Sequence, residues 1–195
     1  MTDTISRSVA TTAPEPDAYD PVLRALHWIT ATAFLVALPL GLYASSQVAG
    51  TSPRREILEL HKSLGMTVMF LTLARLVWRA LSRQPHGAAA WGWLVRLASS
   101  LNHWGLYGLM LAMPLTGYLN SAAGGYSLKY FWLFSLPRLV PDSKALSQFG
   151  ETLHALAAWL VYLTVTLHIV AVAWHELIKR DGTLSRMWPR RAARR

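Results

Sequence analysis

The last long apolar stretch of this chain, residues 149–174, holds two histidines, His154 and His168, fourteen residues apart. As a helix, fourteen residues make just under four turns. Both imidazoles then leave from nearly the same face, roughly 21 Å apart along the axis at 1.5 Å per residue. The stretch is long and uncharged enough to cross a bilayer. Ionisable rings at two depths of hydrocarbon are costly unless something uses them, so the fold must bring a partner to each.

Three further segments read as spans. They cover residues 25–46, 61–78 and 101–122, and the second is the least apolar because Arg75 lies within it. Pro39 and Pro114 fall inside the first and third spans, where neighbours can satisfy the freed carbonyl. Only 15% of the 195 residues are charged, well below a soluble domain, and nine Trp and seven Tyr suit two wet membrane interfaces. The predicted fold is therefore all-α, an integral membrane four-helix bundle. Residues 1–20 are polar, contain proline and lack an apolar h-region, so they read as a disordered arm. Residues 21–180 form the membrane domain and 181–195 a basic tail.

The net charge of +9 does not indicate nucleic acid, since the basic residues flank apolar runs instead of forming a patch with interleaved aromatics. Thirteen Lys and Arg lie on the side of the amino arm, the 2–3 connection and the tail, against six on the other. The positive-inside rule then puts the N and C termini both in the cytoplasm. Absence of cysteine excludes disulfides, c-type haem attachment, iron–sulfur clusters held by thiolates and a cysteine nucleophile. A bound metal must use histidine nitrogen or oxygen.

Under this topology the histidines sort by depth. His61 opens the second span on the outer side and matches His154. His27 opens the first span on the inner side and matches His168. A lone histidine at a span end is ordinarily an interface residue, but His168 is apolar-flanked on both sides. Two depth-matched pairs on facing helices are what two haem b groups require, each iron taking axial nitrogens from opposite sides of its plane. The metal ligands are then His27, His61, His154 and His168. Arg75 follows His61 by the same fourteen residues, reaching the inner level, where it can pair with a haem propionate or snorkel to the cytoplasmic face. Gly65, one turn after His61, leaves room for a flat macrocycle or for ordinary small-residue packing. His103 opens the third span on the inner side. It is the alternative to His27 as ligand, or a partner for a propionate or quinone oxygen. His175 lies one heptad beyond His168, nearer the headgroups, and His86 reads as a solvated loop residue.

The residues LHW at 26–28, LHKSLGM at 60–66, NHWGLYGLMLAMPLTGY at 102–118 and ETLHALAAWLVYLTVTLH at 151–168 resemble the bacterial cytochrome b561 family. The likeness covers about residues 20–190. The compact four-span chain ending in DGTLSRMWPRR is most similar to the family's superoxide oxidase branch. That resemblance implies a di-haem cytochrome b of the inner membrane that takes electrons from superoxide outside and reduces ubiquinone. It also implies the same four ligands, and so His27 over His103. Relatives serving hydrogenases and dehydrogenases leave open a second reading, an electron-transfer subunit joining quinone to a redox partner protein. A haem-free scaffold or transporter bundle, its histidines lining a polar path, is the third. The 123–148 connection carries Lys129 and Arg138 among Tyr126, Tyr130, Phe131, Trp132 and Phe134. It reads as a cap over the outer haem whose cations, with Lys62, either steer superoxide to the site or anchor the segment to lipid headgroups.

Overall fold

The computed structural model describes residues 18–83, 85 and 92–188. The arm up to residue 17, His86 and the last seven residues lie outside them. Four long helices dominate: α1 (Pro21–Ser46), α2 (Ser52–Leu81), α3 (Trp93–Ala123) and α4 (Lys144–Trp174). Each extends beyond its apolar stretch, α2 by nine residues at its start. Hydropathy marks the oily part of a helix, whereas caps and prolines mark its ends. Asp20 caps α1, its Oδ1 accepting from the amides of Val22 (2.8 Å) and Leu23 (3.4 Å), with Pro21 next. Pro53 stands in the first turn of α2, and Ser143 caps α4 by accepting from the Leu146 amide.

Of the four, α1, α2 and the continuous helical run Lys144–Lys179 are long and apolar enough to cross a membrane. α2 qualifies despite Arg75. α3 is not among them, because Asn102, His103, Tyr107, Tyr118 and Asn120 interrupt its apolar character. Outward faces carry Leu42, Phe70, Val77, Trp159, Leu163 and Val170, all exposed, as expected of surfaces that meet lipid rather than water.

The helices pack as two hairpins. α1 lies along α2 and α3 along α4, and the hairpins meet chiefly through α2 and α3. Between the hairpin ends sits a dry layer. Val68, Tyr107 and Met110 are buried against Ala33, Phe34 and Leu76, while Met113, Ala157 and Val161 are buried against Phe34 and Leu38.

The 3–4 connection contains a short antiparallel hairpin, β1 (Leu128–Tyr130) with β2 (Phe134–Leu136), where Leu128 faces Leu136 and Tyr130 faces Phe134. Its turn places Phe131 and Trp132 in the left-handed region, at φ of 44° and 60°. Three α2 residues at four-residue spacing strap it down. The Glu59 carboxylate accepts from the Lys129 amide (2.8 Å). The fully buried Ser63 hydroxyl accepts from the Phe131 amide (2.9 Å), and its one proton faces the Glu59 carbonyl of its own helix (2.7 Å) and the Lys129 carbonyl (3.2 Å). Thr67 Oγ1 meets the Tyr130 hydroxyl at 2.9 Å.

At the other end α4 continues into a π-helical turn, His175–Lys179, and then α5 (Thr183–Met187). Arg180 and Gly182, both left-handed, turn the chain back. The Trp28 indole donates to the Met187 carbonyl (2.9 Å) and Arg24 to that of Trp188 (3.0 Å), so the start of the basic tail lies on the foot of α1.

Candidate functional site

The side chains that carry chemistry gather at two levels. At the level expected to face outward, called outer below, His61 projects from α2 toward α1, and its Nδ1 donates to the Ala37 carbonyl at 2.9 Å. His154 projects from α4 toward α3, its Nδ1 donating to the Met113 carbonyl at 3.0 Å, with Thr116 Oγ1 at 3.2 Å. Bonding through Nδ1 leaves Nε2 of each ring for another partner. The two ring centres are 6.2 Å apart and the planes 86° to one another.

At the inner level the ring centres of His27 and His168 are 6.4 Å apart. His27 Nδ1 is buried without a hydrogen-bond partner, which a buried polar atom ordinarily has. His103 lies closer to His168, at 5.3 Å, and its Nδ1 donates to the Ser99 carbonyl (2.6 Å). Arg75 places its guanidinium 5.2 Å from the centre of the Tyr107 ring. His175, beyond this level, is buried and bonds Asp181 through Nδ1 at 2.6 Å.

These spacings can be tested against haem. Metal–imidazole bonds measure about 2.0–2.1 Å. A five-membered ring with sides of about 1.33 Å has its centre roughly 1.1 Å from each atom. Two imidazoles on opposite sides of one iron therefore have centres about 6.2–6.4 Å apart. His61 with His154 and His27 with His168 both match. The ring centres of His103 and His168 are about an ångström closer than that. Among the described residues no three His, Asp or Glu side chains gather as a bare metal-ion site. The two pairs suit a metal whose remaining ligands arrive with it. A Cβ on Gly65 would meet nothing within 4 Å, so the space expected beside it is there.

The outer cations are less free than their sequence suggests. Lys62 pairs with Glu59 at 3.3 Å, and Arg138 pairs with Asp142. Among the described residues Lys129 shows no acidic partner. Glu59 therefore both holds the hairpin and neutralises the lysine beside His61.

Two residues that matter here escape a reading of the sequence for chemistry. A Cβ at Gly41 would fall 2.6 Å from His61 Cε1, and one at Gly117 would fall 3.2 Å from His154 Cε1. The signal was present. Gly41 follows His27 by fourteen residues and Gly117 follows His103 by fourteen, the interval already linking His61 to Arg75 and His154 to His168.

The family described as prokaryotic cytochrome b561 matches residues 18–190. Cytochrome b561 homolog 2 of Escherichia coli (strain K12) is 31% identical over 172 residues, 88% of this chain and 92% of that protein. Cytochrome b561 homolog 1 of the same organism is 30% identical over 174 residues, covering 85% and 94%. A probable superoxide oxidase CybB of Yersinia pestis is 24% identical over 169 residues, covering 85% and 93%.

Proposed function

Because the chain belongs to the prokaryotic cytochrome b561 family, haem proteins of electron transfer in the bacterial inner membrane, we propose that it is a di-haem superoxide:ubiquinone oxidoreductase. The observation that carries this reading is the pair of imidazole couples, one at each level, spaced to clasp an iron. His61 and His154 would hold the outer haem b, His27 and His168 the inner one. Bound haem supplies one-electron redox chemistry at each level. Residues 21–180 form a four-span bundle in this reading, α3 included, with both termini cytoplasmic as the distribution of Lys and Arg directs.

The outer end receives an anion. Each superoxide gives up one electron and leaves as dioxygen. Two electrons and two protons convert ubiquinone to ubiquinol at the inner end. Lys129 supplies the strongest unneutralised attraction at the mouth, with Lys62 and Arg138 tempered by Glu59 and Asp142. Arg75 is set to neutralise a propionate in the inner slot, where a cation in low dielectric needs an anion. His103 would bond a propionate or the quinone oxygen through Nε2, its Nδ1 being committed to Ser99. The superoxide assignment is supported by the likeness to the Yersinia pestis protein and by Lys129, on the hairpin that Glu59 and Ser63 hold against the helix of His61.

The test is stopped-flow mixing of the oxidised protein with superoxide, followed by ubiquinone. Reduction of b-type absorbance and then its reoxidation by quinone is the expected result. Absence of superoxide-driven reduction, with co-purification of a dehydrogenase or hydrogenase, would make the chain an electron-transfer subunit instead. His61→Ala and His154→Ala should each remove one haem and spare the other. Loss of both, or of neither, contradicts the pairing.

A further inference from the structure

The backbone carbonyl of Ala37 serves two donors and that of Met113 three, because the Thr116 hydroxyl also donates to Met113 at 3.0 Å. Helix geometry gives each the amide four residues on, those of Gly41 and Gly117. Each also receives an imidazole N–H, from His61 and from His154. On an ordinary helix that second donor is shut out. Side chains lean toward the helix N-terminus, so the residue at i+4 covers the flank of the carbonyl at i. Here that residue is glycine in both helices. A Cβ at Gly41 would stand 2.6 Å from Cε1 and 2.9 Å from Nδ1 of His61, the ring edge that makes the hydrogen bond. At Gly117 the same atoms of His154 would lie at 3.2 and 3.3 Å. Identical carbonyl, glycine and imidazole arrangements recur on two separate hairpins, at corresponding positions.

We propose that Gly41 and Gly117 are positioning residues for the outer haem, keeping the Ala37 and Met113 carbonyls open from the side so that His61 and His154 can bond them through Nδ1. The inference rests on the reading of these two histidines as axial ligands. The bond reserves Nε2 for the iron, fixes the rotation of each ring and raises its basicity as a ligand. The two seats are unequal. Gly41 tolerates an added methyl less, by the distances, and His154 has Thr116 Oγ1 as a second neighbour for its Nδ1. Alanine is the better helix former, so propensity alone predicts that Gly41→Ala stabilises the chain. The positioning role predicts harm confined to one haem.

The experiment compares full-length Gly41→Ala, Gly117→Ala and Gly105→Ala with the native protein by haem content, redox titration and low-temperature EPR. Gly41→Ala should hold the outer haem about 10- to 100-fold more weakly, the usual effect of losing a partner behind a metal ligand. Any outer haem it retains should show a raised midpoint potential and altered low-spin g values. Gly117→Ala should keep the haem with a smaller change of the same sign. Gly105→Ala, whose methyl would meet only the Thr164 methyl at 3.9 Å, should match the native protein. Retention of the inner haem reports an intact bundle. Should Gly41→Ala lose both haems, Gly117→Ala decides. An outer haem with native content, potential and g values in the deciding variant overturns the proposal. His61→Ala and His154→Ala, run alongside, separate the two ideas. If they retain both haems, the ligand reading fails; if they lose the outer one while the glycine variants stay native, only the positioning role fails.

Discussion

Removing one oxygen atom from α2 should loosen the outer hairpin. Ser63 is fully buried, and its hydroxyl is the acceptor for the Phe131 amide. Ser63→Ala leaves that amide unsatisfied at the turn, where Phe131 and Trp132 already hold left-handed backbone that side chains disfavour. Orphaning a buried donor costs about 1–3 kcal/mol. At about 2 kcal/mol, with every 1.4 kcal/mol worth a factor of ten, the hairpin should detach roughly 30-fold more often. Hydrogen exchange by mass spectrometry, on protein in lipid nanodiscs, reads this directly from peptides spanning 128–134. Exchange there should accelerate roughly 30-fold, while the start of α4 stays unchanged. Thr67→Val is the graded control. It removes the partner of the Tyr130 hydroxyl, a hydrogen bond worth about 0.5–1.5 kcal/mol, together with the Thr67 bond to the Ser63 carbonyl inside α2, so acceleration at the hairpin should stay near or below about tenfold. Native exchange in Ser63→Ala, or equal acceleration throughout the outer end, would refute the view that this hydroxyl straps the hairpin to α2.

Two further outcomes follow from the charges. Lys129→Gln should slow superoxide-driven reduction and flatten its salt dependence more than Lys62→Gln or Arg138→Gln, because only the latter two have acidic partners. Equal effects from all three would show that the ion pairs do not screen the field. At the inner end the Trp78 indole donates to Asp20 Oδ1 at 2.8 Å, and this bond, with the amides of Val22 and Leu23, holds the carboxyl below its usual pKa. A depressed folded-state pKa stabilises above the unfolded value, about 3.9, and the benefit is lost as pH falls through the folded value. Trp78 fluorescence should therefore change on acidification below about pH 4, and Asp20→Asn should abolish that change. A transition that survives in Asp20→Asn would place its origin elsewhere.

The parts of this protein legible in its sequence are those with periodicity or unusual expense. His168 and Arg75 stand out because an ionisable group in an apolar helix demands a reason, and the fourteen-residue interval tells their depth without any knowledge of the fold. The helix ends were not legible from hydropathy, since Pro53 and Ser143 act in polar segments that a search for apolar runs passes over. The hairpin was hidden for a different reason. Its strands are three residues each, and its turn uses Phe131 and Trp132 where turn chemistry would lead one to look for Gly or Asn. Gly41 and Gly117 were invisible as individuals, because a glycine in a membrane helix is ordinarily a packing residue. What distinguishes them is which carbonyl lies four residues behind and which ring arrives from the next helix, and that is knowledge of pairing. The same limit applies to His103 and His27, which depth alone left open.

The dry layer of Phe34, Val68, Met113 and Val161 between the two levels has an electrical consequence. Levels about 21 Å apart, within hydrocarbon about 30 Å thick, straddle roughly two-thirds of any voltage across the bilayer. On the proposed route an electron moved inward between them would travel toward the negative side, at a cost of about 1.5 kcal/mol for every 100 mV. An energised membrane would then oppose that traffic and a depolarised one release it.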